Sequence, residues 1–169
     1  MNITVNAGHF PGLDSGAVGV TGLQEANVTK EVAELVAGHL RNIGHNVNLS
    51  QFNELYEITN DSNDFNSDIF VSIHCNAAES RSAKGTETFY ASAEGQRLAQ
   101  CIQDRIVSSM NTVNRGVKPC NFYVVRNTNA VSVLVELAFI SNEDDEALLA
   151  ENYDGFSRAV ACGISDFAL

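Results

Sequence analysis

Two imidazoles and one carboxylate make up the ligand set of a hydrolytic zinc site, which leaves a fourth position open for water. The chain offers such a set. His9 follows a first apolar segment, Glu25 opens a helical pattern, and His74 ends a compact apolar run. A zinc ion on His9, Glu25 and His74 would activate water toward a carbonyl carbon. Spacing alone does not decide this. With four histidines and 21 acidic residues some such triple can always be drawn, and a histidine near a strand end also serves as a hydrogen-bonded structural residue. Glu136 is the other candidate, inside Val133-Leu134-Val135-Glu136-Leu137-Ala138-Phe139. An ionised carboxylate is costly to bury in such a run without a partner. One reading is a catalytic carboxylate in a cleft; the other is a side chain turned to solvent by strand alternation.

The remaining reactive side chains divide into two groups. Asn76 and Ser72 flank His74 and could orient a ligand or the substrate. Arg126, at the end of an expected strand Phe122–Val125, could meet a peptide carboxylate bidentately or form a surface ion pair. His39 and His45, on and just after the first helix, read as structural or surface residues. Cys75 adjoins His74, and adjacent strand side chains point to opposite faces, so Cys75 belongs to the core. The run Glu143-Asp144-Asp145-Glu146 reads as a solvated helix N-terminus, favoured by the helix dipole. It lacks the alternating ligands and glycine turn of a calcium loop.

The elements that must position these groups alternate in period. Ile3–Asn6 reads as a strand running into the turn-rich Ala7–Gly12. Val28, Val32, Leu35, Val36, Leu40 and Ile43 mark one face of a helix, which Gly44 ends. Strands are expected at Asn46–Ser50, Ile69–Ile73, Thr86–Tyr90, Phe122–Val125 and Val131–Leu137. Short helical structure is expected between Gln51 and Asn66. Leu98, Ile102, Ile106 and Met110 mark a further helix, and two more lie near Glu143–Glu151 and Tyr153–Phe167. This alternation implies a single α/β domain, a largely parallel sheet with helices on both faces. In such sheets sites gather outside the carboxyl ends of strands, where His9 and His74 fall.

Composition narrows the function classes. The 169 residues suit one domain. Ten basic against 21 acidic residues leave a net charge of −11, which argues against nucleic acid and against a polybasic membrane-surface role. No apolar run approaches the roughly 18 residues of a membrane span. The four cysteines form no C-x-x-C pair and read as reduced thiols.

Four segments then carry a family resemblance. Ala7-Gly8-His9, Asp14-Ser15-Gly16-Ala17 and Glu25-Ala26-Asn27 match the opening of the zinc-dependent N-acetylmuramoyl-L-alanine amidases of the amidase_3 type. Ser72-Ile73-His74-Cys75-Asn76-Ala77 resembles their central motif and is followed by Gly85-Thr86-Glu87-Thr88-Phe89-Tyr90. Leu134–Asn142 is similar to their C-terminal glutamate motif. The resemblance covers nearly the whole chain in the family's order. It implies a mixed, mostly parallel sheet, zinc on His9, Glu25 and His74, and Glu136 as the catalytic carboxylate. The substrate would be peptidoglycan, cut at the amide between N-acetylmuramic acid and the L-alanine of the stem peptide, and residues 1–169 would form the catalytic domain.

Three departures accompany the resemblance. Arginines that members often carry after the second strand and before the central strand are missing from Ser50–Asn53 and Asp61–Asn66. Ala138 replaces a glycine. Another zinc peptidase or deacetylase acting on peptidoglycan, or a wall-binding domain that has kept the fold, are the competing readings. The N-terminus lacks a signal-peptide pattern. That suits a phage lysin made in the cytosol and acting on the wall, or a trimmed domain of a secreted autolysin, with a separate wall-binding module or targeting partner.

Overall fold

The computed structural model describes residues 1–168. Six strands and six helices follow in the order β1 (Asn2–Ala7), α1 (Glu25–Asn42), β2 (Asn46–Ser50), α2 (Leu55–Asp64), β3 (Ile69–Asn76), β4 (Thr86–Tyr90), α3 (Ala93–Ser109), β5 (Asn114–Pro119), α4 (Tyr123–Arg126), β6 (Val131–Phe139), α5 (Glu143–Glu151) and α6 (Tyr153–Phe167). One sheet has the order β2-β1-β3-β6-β4-β5. Pairing is parallel except between β4 and β6, so the expected mixed, mostly parallel sheet is what forms.

Alternation along the strands explains the two layers. Ile3, Val5 and Ala7 of β1, Ile69, Val71, Ile73 and Cys75 of β3, and Val133, Val135 and Leu137 of β6 all enter the main core. That face is covered by α1, α3 and α6. Helix α1 presents the stripe Val28, Val32, Val36 and Leu40, each fully buried and each contributing about 1.5–3 kcal/mol on full burial. The other face carries Thr4, Asn6, Ser72, His74, Leu134 and Glu136. A smaller cluster around Phe70, Ile58 and Val124 covers only its lower half, beneath α2 and α4. The upper half stays open at the carboxyl ends of β1 and β3.

β1 pairs with β2 on one side and β3 on the other. The chain therefore leaves β1 in one direction and returns on the opposite side, which opens a crevice at the top of this strand pair. His9 and His74 line it. Among the described residues no helix is long and apolar enough to cross a membrane.

Two local expectations are corrected. Phe122–Val125 is not a strand: Tyr123–Arg126 forms one turn of helix that buries Val124 and Val125 under the second cluster. Arg126 therefore ends a helix, is exposed, and donates from Nη1 to Asn121 Oδ1. The strand expected there lies earlier, at Asn114–Pro119, where polar residues, a glycine with φ +77° and a proline hide an edge strand from patterning. The acidic run is only half solvated. Asp145 and Glu146 are 4% and 2% exposed. Asp145 Oδ2 accepts from the amides of Gly85 and Phe139 at 2.8 Å each. Glu146 accepts from the amides of Val20 and Thr21 and from the Thr21 hydroxyl, at 2.7–3.2 Å. It thus ties the loop before α1 to α5.

Candidate metal and catalytic centre

His9, Glu25 and His74 come together although 65 residues separate the first from the last. One donor atom from each lies within 4.8 Å of the others. His9 Nε2 is 3.2 Å from Glu25 Oε2, and His74 Nδ1 is 3.0 Å from Glu25 Oε1. The His9 and His74 rings meet edge to face, with centroids 5.2 Å apart.

Each group is fixed from behind. Glu25 begins α1, and its two carboxylate oxygens accept from the amides of Ala17 (2.9 Å) and Cys75 (3.0 Å). His9 takes φ +63°, in the left-handed region that costs a residue with a β-carbon about 1–2 kcal/mol. Asp14 Oδ2 lies 2.7 Å from its Nδ1, which fixes one ring nitrogen and aims the other at Glu25. Two glycines make the close approach possible. A β-carbon on Gly8 would lie 2.3 Å from His74 Cε1, and one on Gly16 would lie 2.6 Å from both Glu25 Oε2 and His9 Cδ2. Thr29 Oγ1 donates to the Gly8 carbonyl at 2.6 Å, locking α1 to the end of β1.

Electrostatics follow the geometry. Burial pushes the Glu25 carboxyl up, but hydrogen bonds with His74 and His9 outweigh it and hold the group well below the usual carboxylate range. The hydrogen bond to Glu25 is the largest influence on His9, which is raised to about 9 against burial. Two imidazoles and an ionised carboxylate converging on one point, with a carboxylate behind one imidazole, fit a zinc ion with an open fourth position.

Glu136 lies on the same sheet face, directly paired with His74 in the β3–β6 register. It is not turned to bulk solvent. Its Oε2 is sealed from water and has no hydrogen-bond partner. Burial raises its carboxyl to about 7; His74 opposes the shift, while Glu25 and Glu87 add to it. The sheet thus aims an unpartnered carboxyl, able to hold or release a proton near neutrality, at the two-histidine centre.

Several residues are engaged differently from their reading in the sequence. Asn76 donates from Nδ2 to Glu87 Oε1 at 2.6 Å, and its Oδ1 accepts from the Ala77 amide, so both its polar ends are held by the protein. Ser72 donates to Asn6 Oδ1 at 2.6 Å. Arg126 does not line the crevice. In the arginine-free segment after β2, Gln51 Nε2 donates to the His9 carbonyl at 3.1 Å and Phe52 lines a cavity of about 260 Å³. That cavity opens beside His9 and His74 and is walled by Leu55, Phe122 and Tyr123. The sequence reading assigns no role to Asp14 or Glu87 and places Glu146 in a solvated helix N-terminus. A signal existed for Glu87, which alternates between two threonines as Glu136 alternates between apolar residues.

The chain is similar to known proteins over nearly its whole length. A family model described as N-acetylmuramoyl-L-alanine amidase matches residues 3–166. The N-acetylmuramoyl-L-alanine amidase LytC of Bacillus subtilis is 38% identical, covering 88% of this chain but 31% of its own length. YqiI of the same organism, an uncharacterised protein, is 42% identical over 98% of this chain and 84% of its own. Among solved structures, the N-acetylmuramoyl-L-alanine amidase AmiC2 of Nostoc punctiforme superposes with a TM-score of 0.95 at 30% identity, over 99% of this chain and 97% of that one.

Proposed function

The chain belongs to the Amidase_3 family of N-acetylmuramoyl-L-alanine amidases, and from that premise we propose that it cuts peptidoglycan at the amide between N-acetylmuramic acid and L-alanine. Residues 1–169 act as the catalytic domain, and the site of action is the cell wall. His9, Glu25 and His74 hold zinc, which when bound supplies Lewis-acid polarisation of the carbonyl and lowers the pKa of water.

The chain's own residues do the rest. Asp14 holds the His9 ring in the tautomer that leaves Nε2 free as a ligand. Glu25, gripped by two backbone amides, keeps its position whether or not it shares its charge. Glu136 takes a proton from the attacking water at the carboxylate oxygen that is not sealed, holds it, and delivers it to the leaving alanine nitrogen, while the partnerless Oε2 leaves the carboxyl free of any competing hydrogen bond. A carboxyl raised to about 7 suits both transfers near neutral pH. The observation that carries this reading is that sealed, partnerless Oε2, one strand from His74 and on the same face.

The decisive experiment pairs Glu136→Gln with the parent protein. Purified peptidoglycan is digested with and without a chelator, and freed alanine N-termini and reducing ends are assayed together. Alanine amines released only with metal, and absent in the variant although it binds zinc normally, are the expected result. Amines from another residue would mark a peptidase, and turnover retained in Glu136→Gln would remove that residue from the mechanism.

A further inference from the structure

We infer that Arg115 and Lys118, on β5, read a carboxylate of the stem peptide just beyond the scissile amide and so make the enzyme sensitive to amidation of that carboxylate. The inference rests on the amidase reading. Glu87 pairs directly with Glu136 across the β4–β6 register, on the same face of the sheet. It is 4% exposed. Asn76 binds its Oε1, Arg115 Nε donates to Oε2 at 2.9 Å, and Lys118 Nζ donates to the same oxygen. Every other lysine or arginine ion pair among the described residues sets one such cation on one carboxylate. Here two cations share one, leaving a surplus positive charge beside the centre in a chain of net charge −11.

The arrangement is built by the strand itself. Residues three apart on a regular strand point to opposite faces. Between β4 and β5 the register shifts, Thr86 facing Asn114 and Thr88 facing Val117, with Gly116 at φ +77° as the extra residue. This bulge turns Arg115 and Lys118 to the same face, as bulges near active sites do. The Arg115 guanidinium also lies over the Phe139 ring at 4.8 Å. Arg115 Nη1 makes a long contact to the Lys84 carbonyl at 3.5 Å, which leaves Nη2 and two ammonium hydrogens of Lys118 for a ligand, and the side chains stay 34% and 40% exposed.

Distance and chemistry identify the ligand. Heads anchored on Glu87 stand about one strand spacing, roughly 5 Å, beyond Glu136. A peptide advances about 3.5 Å per residue, so the residue after L-alanine reaches them. In stem peptides that residue is D-glutamate joined through its side chain. Its α-carboxylate is then free, or masked as a carboxamide where the polymer is amidated. The other flank of the site, at Phe52, Leu55, Phe122 and Tyr123, offers aromatic and aliphatic surface suited to the neutral sugar.

The test uses the zinc-loaded chain and two disaccharide muramoyl tripeptides that differ only in carboxylate or carboxamide at the second residue. The parent protein should favour the carboxylate in kcat/KM by about tenfold or more, the effect of one charge-assisted hydrogen bond, and the preference should reside in KM. In Arg115→Gln/Lys118→Gln the ratio should fall toward one. The charge-conserving Lys118→Arg should keep it, as should Arg97→Gln, which alters a remote surface pair. If the double variant fails to fold, Lys118→Gln alone, at the exposed sheet edge, should lower the ratio. Equal use of both substrates by the parent protein, or an unchanged ratio in the variants, overturns the inference while leaving the amidase reading intact. Failure to cleave either substrate overturns both.

Discussion

Gly8→Ala should weaken zinc binding while leaving the fold standing. A β-carbon there would lie 2.3 Å from His74 Cε1, 2.5 Å from Nε2 and 2.6 Å from Nδ1. Ordinary contact between such atoms begins at about 3.5 Å, so the ring must retreat by about 1 Å. It cannot do so freely. Nδ1 is held at 3.0 Å by Glu25, and the His9 ring packs against it. Backbone strain adds little, because Gly8 does not occupy the left-handed region. The cost of overpacking is about 1–3 kcal/mol, which an ordinary domain survives. A ligand displaced by 1 Å should lose at least about 10–100-fold in zinc affinity, the effect of disturbing the shell that orients metal ligands. The assay is competition with a chromogenic chelator, run beside thermal melts of the apo-protein. Zinc bound with parental affinity by a folded Gly8→Ala protein would refute the close approach of β1 to His74 and, with it, the ligand set.

Three further outcomes follow from named contacts. Asp14→Asn should weaken zinc by about 10–100-fold with little change in the apo-protein's melting temperature, because Asp14 is exposed and acts through His9 Nδ1; the same chelator competition measures it. Gly38→Ala, in the middle of α1 with no atom within 4 Å of the added carbon, should stabilise the protein by about 0.5–1 kcal/mol in urea denaturation and leave zinc affinity unchanged. Glu146 is pushed up by burial, yet hydrogen bonds from Thr21 and Val20 hold it below its ordinary 4.5. Its contribution to stability is therefore complete above that value and is lost as pH falls through the lower folded-state value. Glu146→Gln should lower stability at pH 7 and flatten the acid limb below the ordinary value of 4.5; urea midpoints measured from neutral pH down through that region test it, and an acid limb as steep as the parent's would exclude the clamp.

Most elements are legible in the sequence, because a central strand such as β3 is a compact, β-branched apolar run and α1 carries its apolar residues on a single stripe. Position in the chain makes His9, Glu25 and His74 one of many triples that could be drawn and gives Glu136 two readings; it is the family resemblance of the surrounding motifs that implies the four belong together. The sequence did not reveal β5, whose edge position needs no apolar alternation, nor the helical turn at Tyr123–Arg126, whose β-branched residues bury equally well in either state. Which way Glu136 faces, and whether anything satisfies its Oε2, depends on neighbours distant in the chain, such as His74 on β3 and Glu87 on β4. The same holds for the acidic run. Four adjacent carboxylates look alike in sequence, but Asp145 and Glu146 turn inward to accept amides from Gly85, Phe139, Val20 and Thr21. The pairing of Arg115 and Lys118 on Glu87 was likewise out of reach, because a bulge, and not a spacing, brings two residues three apart to one face.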